Sequence, residues 1–310
     1  MCIRDSAGSV EGRQMAGRND KVDRGSLAFA GLLTLDVAQL AESLPELGGK
    51  ATSDVAYMDV GGPAANAAIT AAGLGSKTLL HTIVGRGQQA DFIRSALDEY
   101  NVPVKDHAPD AAVPLASVWV LAGTGERTIL ATNNAHLVLQ PEGRLLPETT
   151  AAVLLDGHYP GLAEAVAVEA AELGIPIVLD CGRWRPIFTE LMPLASDVIM
   201  CESFRPPGLS AATGEELVAA IVAEWGPEVC AMSRGSRDML VGHNDELDHL
   251  PVPHVTVVDT TGAGDVLHGA YMHHRYIEQL DAVEALRRSA TLASESCTHI
   301  AVRPGVAGSG

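Results

Sequence analysis

The densest chemistry in this chain lies in Asp259-Thr260-Thr261-Gly262-Ala263-Gly264-Asp265. The run follows the β-branched stretch Val255-Thr256-Val257-Val258 and leads into Val266-Leu267-His268-Gly269-Ala270-Tyr271, a pattern of strand, sharp turn and helix. Small residues at such a turn let backbone N–H groups approach a ligand closely, and the helix dipole adds partial positive charge. The result is a cradle for an anion. Asp265 falls in the first helical turn, where a carboxylate can take the proton of a hydroxyl that faces the bound anion. Read as scaffold alone, the same residues are a helix-capping Asp and a tight glycine turn. A helix start also favours the ionised carboxylate, so Asp265 is expected to have a depressed pKa and to be a weak base.

A second group is Asp59-Val60-Gly61-Gly62-Pro63-Ala64-Ala65-Asn66, two glycines at a helix start with an amide one turn later. Gly61 and Gly62 allow a ligand to lie against bare backbone, and Asn66 can both donate to and accept from hydroxyl groups. Asp36, expected at the end of the first strand, adds an acceptor for hydroxyl protons. The scaffold reading of Gly-Gly-Pro is a tight turn.

These groups need a frame, and the chain supplies one. Hydrophobic residues make up 47% and aromatic residues 4%, so the core is built from Ala, Val, Leu and Ile, the usual filling between helices and a parallel sheet. Apolar runs in LAFAGLLTL, TLLHTIV, VLLD, IPIVLD, DVIM and VTVVD read as buried strands. Stretches near 63–73, 88–100, 161–173, 213–225, 263–278 and 281–297 read as helices between them, the alternation of a doubly wound α/β fold. Two segments break that rhythm, about 37–60 and 111–132; the second holds a hairpin across Gly123-Thr124-Gly125. Together they are expected to form a small β-sheet lid that doubles as a homodimer surface. Residues 1–25, polar and Gly-rich, read as a disordered leader, 26–305 as the folded domain and 306–310 as a tail; the domain is expected to lack a terminal segment.

With 21 Lys plus Arg against 39 Asp plus Glu, the 310-residue chain carries −18 formal charges and has no basic run, which argues against nucleic acid or an anionic membrane as partner. The five cysteines are scattered without a Cys-x-x-Cys pair, which fits a reduced cytoplasm. No run reaches the roughly 18 apolar residues of a membrane span. His268, His273 and His274 crowd one helix without a partner at metal-ligand spacing and read as packing or solvent-facing residues.

The motifs resemble those of the ribokinase-like, or pfkB, family of carbohydrate kinases, from about residue 27 to about residue 305. The resemblance rests on Asp36, on Gly61-Gly62-Pro63-Ala64-Ala65-Asn66-Ala67-Ala68, on Met232-Ser233-Arg234-Gly235-Ser236 and above all on the 259–265 run. It implies a ribokinase-like α/β fold: a doubly wound, mostly parallel sheet flanked by helices, with a small β-sheet lid. It implies transfer of the γ-phosphoryl group of ATP to a hydroxyl of a sugar or related small molecule, with Mg²⁺ and a monovalent cation such as K⁺ as cofactors. Asp265 would be the catalytic base, with Gly262, Ala263 and Gly264 as the anion hole. Asp36, Gly61, Gly62 and Asn66 would hold the sugar; Ser233, Gly235 and Thr261 would contact the nucleotide; Asp259, with Thr261, would hold the monovalent cation.

The chain departs from the family pattern at two places, as ketohexokinase-like and sulfosugar-kinase-like branches also do. Cys201-Glu202-Ser203-Phe204 stands where many members carry Asn-x-x-Glu, which leaves Glu202 as a substitute metal ligand or a solvated surface carboxylate. Gly85-Arg86-Gly87 stands where Gly-Asp-Asp is usual. Two other functions compete: an NAD-dependent oxidoreductase, from the loose pattern Gly85-Arg86-Gly87-Gln88-Gln89-Ala90, and a non-catalytic sugar-binding protein of the same fold. The motifs do not separate one sugar from another. An anionic substituent would require cations, for which Lys50, Arg86, Arg127 and His158 are the candidates.

Overall fold

A computed structural model of the protein describes residues 25–53, 55–243 and 246–299. The expected leader, up to residue 24, and the tail at 306–310 lie outside the described residues.

The first strand, β1 (Ser26–Ala30), passes into β2 (Thr34–Ala41) and β3 (Val55–Gly61) before helix α1 (Pro63–Gly73). Then come β4 (Lys77–Thr82), α2 (Gln88–Glu99), β5 (Val104–Asp106), β6 (Leu115–Leu121), β7 (Arg127–Ala131), β8 (Thr150–Leu155), α3 (Pro160–Glu172) and β9 (Ile177–Cys181). The short α4 (Phe188–Leu191), β10 (Asp197–Cys201), α5 (Gly214–Trp225), β11 (Val229–Arg234), β12 (Arg237–His243), β13 (Glu246–Leu250), α6 (Ala263–Met272) and α7 (Ala282–Ser296) complete the described chain.

Among the described residues the main sheet has nine strands in the order β13-β12-β11-β10-β9-β8-β1-β4-β5, parallel from β11 to β5 and antiparallel at the β11-β12-β13 edge. β8 and β9 are buried at every position, as strands covered on both faces must be. Apolar side chains of α1, α2, α6 and α7 pack on one face and those of α3, α4 and α5 on the other. A separate four-stranded sheet, β3-β2-β6-β7, carries the expected hairpin. β6 alternates buried with part-exposed positions while edge strand β7 is exposed throughout, so this sheet is covered more fully on one face than the other.

Three expectations are corrected. LAFAGLLTL is two strands, because the chain leaves the main sheet at Gly31, where a Cβ would lie 2.1 Å from the Asp156 carboxyl; Asp36 therefore belongs to the small sheet. VTVVD is not a strand. The amides of Val258 and Asp259 donate to the Cys297 carbonyl at the end of α7 (2.8 and 3.2 Å), and this docking overrides the β-propensity of the run. Finally, the α-helix from 263 ends at Met272 and continues as a π-helical turn, His273–Ile277. The hairpin of β12 and β13 has no counterpart in the sequence reading, since its strands mix charged with apolar residues.

One close approach positions the site. α1 meets α6 across Ala67 and Gly269, where a Cβ at 269 would sit 2.2 Å from the Ala67 carbonyl oxygen. Gly269→Ala forces the helices apart and is expected to cost about 1–3 kcal/mol of stability, read from the urea midpoint. A shift below about 0.5 kcal/mol would show that the contact relaxes freely.

Candidate active site

A cleft of ≈ 560 Å³ opens where the carboxyl ends of the parallel strands face the small sheet. In open α/β sheets, ligands bind at this edge. Asp36, Gly62, Asn66, Ser233, Thr261, Gly262, Gly264 and Asp265 all line it.

Gly262 caps α6 in a left-handed conformation (φ 73°), which a side chain would strain; Gly262 and Gly264 line the cleft, whereas the expected Ala263 does not, its amide donating to the Thr260 carbonyl (3.3 Å). Asp265, one turn in, accepts a hydrogen bond at Oδ2 from Asn66 Nδ2 (2.6 Å), so the close packing of α1 on α6 joins the two motifs. Burial in the cleft wall raises the Asp265 carboxyl from 3.8 to about 6; Asp180 adds to the rise, while Asn66, His268 and Arg127 oppose it. The depressed value expected from the helix start is therefore reversed: desolvation outweighs the dipole.

Asp36 lies on β2, opposite Asp59 of β3, and accepts from Thr34 Oγ1 at 2.5 Å. A Cβ at Gly61 would fall 2.1 Å from its carboxyl carbon, and Gly62 (φ 92°) brings its backbone against the Leu32 carbonyl. The glycine pair is thus both a tight turn and the space that admits Asp36.

Asp259 is set apart. Its Oδ1 accepts from the Thr261 amide (2.8 Å), and it lines a small cavity of ≈ 40 Å³ with Asp36, Tyr57, Asn66, Thr261 and Gly262. Ser233 reaches the cleft, but Gly235 (φ 66°) forms the exposed turn between β11 and β12 and does not line it. Glu202 is exposed, and both its oxygens accept from Arg237 at 2.5 Å, so it is not placed as a metal ligand of the cleft.

Of the four candidate cations, Arg127 and His158 line the cleft. Arg127 Nη1 donates to the carbonyl (2.6 Å) and Oγ1 (2.9 Å) of Thr260, tying β7 to the 259–265 run. Arg86 pairs with Asp110 at the surface (3.5 Å), and Lys50 lines a separate hollow beside Leu40 and Ala122. Asp156, Asp180, Arg183 and Arg185 line the cleft without having been singled out. Each lies at or just after the carboxyl end of a buried parallel strand, the signal that would have found them. Burial pushes the Asp156 carboxyl up, but His158 and the Leu32 and His158 amides together draw it below the usual range. Asp180 is raised by burial, with His268 opposing. His268 faces the Gly264 carbonyl (2.7 Å) and the Ile199 carbonyl (3.2 Å), and His273 and His274 are buried beneath α7, so none of the three faces solvent. Among the described residues, no helix is long and apolar enough to cross a membrane.

Sheet order, second sheet and cleft define a protein of the ribokinase-like fold. Residues 25–306 match the pfkB family of carbohydrate kinases, and the chain belongs to that family. The deoxyribokinase of Salmonella typhi is 26% identical over 289 residues, covering 88% of this chain and 92% of its own. The ribokinase of Mus musculus is 24% identical over 289 residues, with coverages of 87% and 88%. The structure of Arabidopsis thaliana ribokinase complexed with ribose and ATP aligns with a TM-score of 0.71 at 23% identity, over 91% of this chain and 95% of that one. The protein is accordingly a carbohydrate kinase, a phosphotransferase with an alcohol group as acceptor. The oxidoreductase reading is set aside. The Gly85-Arg86-Gly87 turn is packed against the 111–112 backbone, with a Cβ at 85 only 2.5 Å from the Ala111 carbonyl oxygen.

Proposed function

We propose that the protein transfers the γ-phosphoryl group of ATP to a sugar hydroxyl presented to Asp265. The observation that carries this reading is the meeting of Asp265 with Asn66 at the N-terminus of α6, inside the cleft that Asp36 also lines. Asn66 occupies Oδ2 of Asp265, which leaves Oδ1 for the acceptor hydroxyl. Asp36 and the Asn66 amide orient the sugar, and the backbone of Gly262 and Gly264, which line the cleft, receives the charge on the transferred group. Ser233 and Thr261 line the nucleotide side. The β6–β7 hairpin acts as a lid that excludes water, held to the transfer site by Arg127.

The donors present fit the expected cations. Asp180, buried in the cleft with no lysine or arginine ion pair among the described residues, suits a divalent ion, whereas Glu202, committed to Arg237, does not. Thr261 Oγ1 and Asn66 Oδ1 are buried without a hydrogen-bond partner beside Asp259, which suits a monovalent cation held by Asp259 and Thr261. When bound with ATP, Mg²⁺ supplies charge neutralisation at the phosphates. The helix-start cradle suits a terminal phosphate, so calorimetry is expected to show micromolar binding of Mg-ATP and none of NADH. The reverse pattern would overturn the nucleotide assignment.

A further inference from the structure

Two arginines in the cleft, Arg183 and Arg185, make no ion pair with a carboxylate among the described residues, although Arg185 lies near enough to Asp180 to help hold its carboxyl down. In Arg183-Trp184-Arg185, Trp184 turns into an aromatic group with Phe188 (6.1 Å between centroids) and Phe204 (5.7 Å), themselves edge to face at 5.7 Å. Arg183 and Arg185 flank Trp184 in the loop that follows β9, and both line the cleft.

Arg185 is held rather than neutralised. Its Nη1 donates to the carbonyls of Asp156 and Arg183 (3.3 Å each), and its Nη2 lies 2.5 Å from His158 Nε2. A guanidinium has no acceptor, so His158 Nε2 accepts from Arg185, while its Nδ1 lies 3.2 Å from Asp156 Oδ1. The His158 ring therefore stands between the Asp156 carboxylate and the Arg185 guanidinium. Asp156 also takes the Leu32 amide (2.8 Å) and the His158 amide (3.0 Å), so its oxygens are engaged elsewhere. Among the described residues neither Arg183 nor Arg185 makes an ion pair with any carboxylate, in a chain with 39 acidic residues.

We infer that the phosphoryl acceptor carries an oxyanion, a carboxylate or a phosphate, and that Arg185, braced by His158 and assisted by Arg183, receives it. This rests on the kinase reading above and narrows it to anionic sugars. A planar guanidinium fixed by its neighbours keeps N–H groups for two-point recognition of an oxyanion. The brace points to the acceptor rather than the nucleotide. Asp156, which positions His158, also holds Leu32 in the crossover that leads directly to Thr34 and Asp36 on the sugar side.

The test is calorimetry on the full chain with matched pairs: ribose against ribonate, glucose against gluconate, fructose against fructose 1-phosphate. In at least one pair the anion is expected to bind about tenfold or more tighter than its neutral partner, and the pair in which it does so tells carboxylate from phosphate. Arg185→Met should weaken that anion by about 20-fold or more and leave the neutral sugar and ATP within about twofold, while Arg185→Lys recovers part of the loss. If no anion outbinds its partner, or if Arg185→Met weakens ATP and not the anion, the proposal is wrong. The wild-type comparison decides even where a variant fails to fold. ADP release with the bound sugar tests the kinase reading separately: a bound anion without ADP release would sink that reading and leave the anion site standing.

Discussion

Asp265→Asn is expected to lower kcat by roughly 10²–10⁴-fold, about 3–5 kcal/mol of barrier, with ATP affinity little changed. The substitution keeps the shape of the first turn of α6 and a polar partner for Asn66, but it cannot take a proton. Phosphoryl transfer passes through a loose transition state in which the acceptor hydroxyl loses its proton late, so a carboxylate of moderate basicity suffices. Burial raises Asp265 to about 6, which puts the base within the working range and gives the effect a pH signature. Below that value the carboxyl is protonated in the free enzyme, so kcat/KM should fall about tenfold per pH unit as pH drops, and should level off above it. The Asn variant should lose that inflection. Retention of more than about a tenth of wild-type turnover by Asp265→Asn would remove Asp265 from the role of base.

Asn66→Ala should lower kcat/KM for the sugar by roughly 1–3 kcal/mol, because sugar hydroxyls and the Asp265 carboxylate both lose a partner. The 2.6 Å bond from Asn66 Nδ2 to Asp265 Oδ2 is one of the interactions that hold the Asp265 pKa down. Its removal therefore predicts a second change: the inflection of the kcat/KM profile moves above its wild-type position near 6. A purely structural role for Asn66 would lower activity uniformly and leave the profile in place. An unchanged sugar dependence together with an unmoved inflection would exclude Asn66 from the site.

These two residues were legible in the sequence because their motifs are local: small residues, a helix start and a functional group one turn in. Of the parallel strands, β1, β4, β8, β9 and β10 were legible for a similar reason, since burial on both faces writes continuous apolar runs such as those of β8 and β9; the short β5 and the mixed run of β11 were not read. What escaped was decided by tertiary contacts. LAFAGLLTL reads as one strand because nothing local marks Gly31, whose space is taken by Asp156 just beyond the end of β8. Val255-Thr256-Val257-Val258 has strand composition, yet its amides at 258 and its neighbour at 259 are claimed by the end of α7. The helix-start argument for Asp265 had the wrong sign because burial cannot be seen in a single motif. Arg183 and Arg185 were not singled out because nothing local shows that Trp184 between them packs on Phe188 and Phe204, and of the two readings of Glu202, metal ligand or surface carboxylate, its pairing with Arg237 could not be seen in the motif.

The central claim, transfer to a hydroxyl poised at Asp265, is tested most directly by incubating the protein with γ-³²P-labelled Mg-ATP and a panel of neutral and anionic sugars and following the label. The account predicts label in a sugar phosphate in one-to-one stoichiometry with ADP for at least one sugar, formed by wild type and reduced by about 10²-fold or more in Asp265→Asn. Label released only as inorganic phosphate, or transfer that survives Asp265→Asn undiminished, would contradict it.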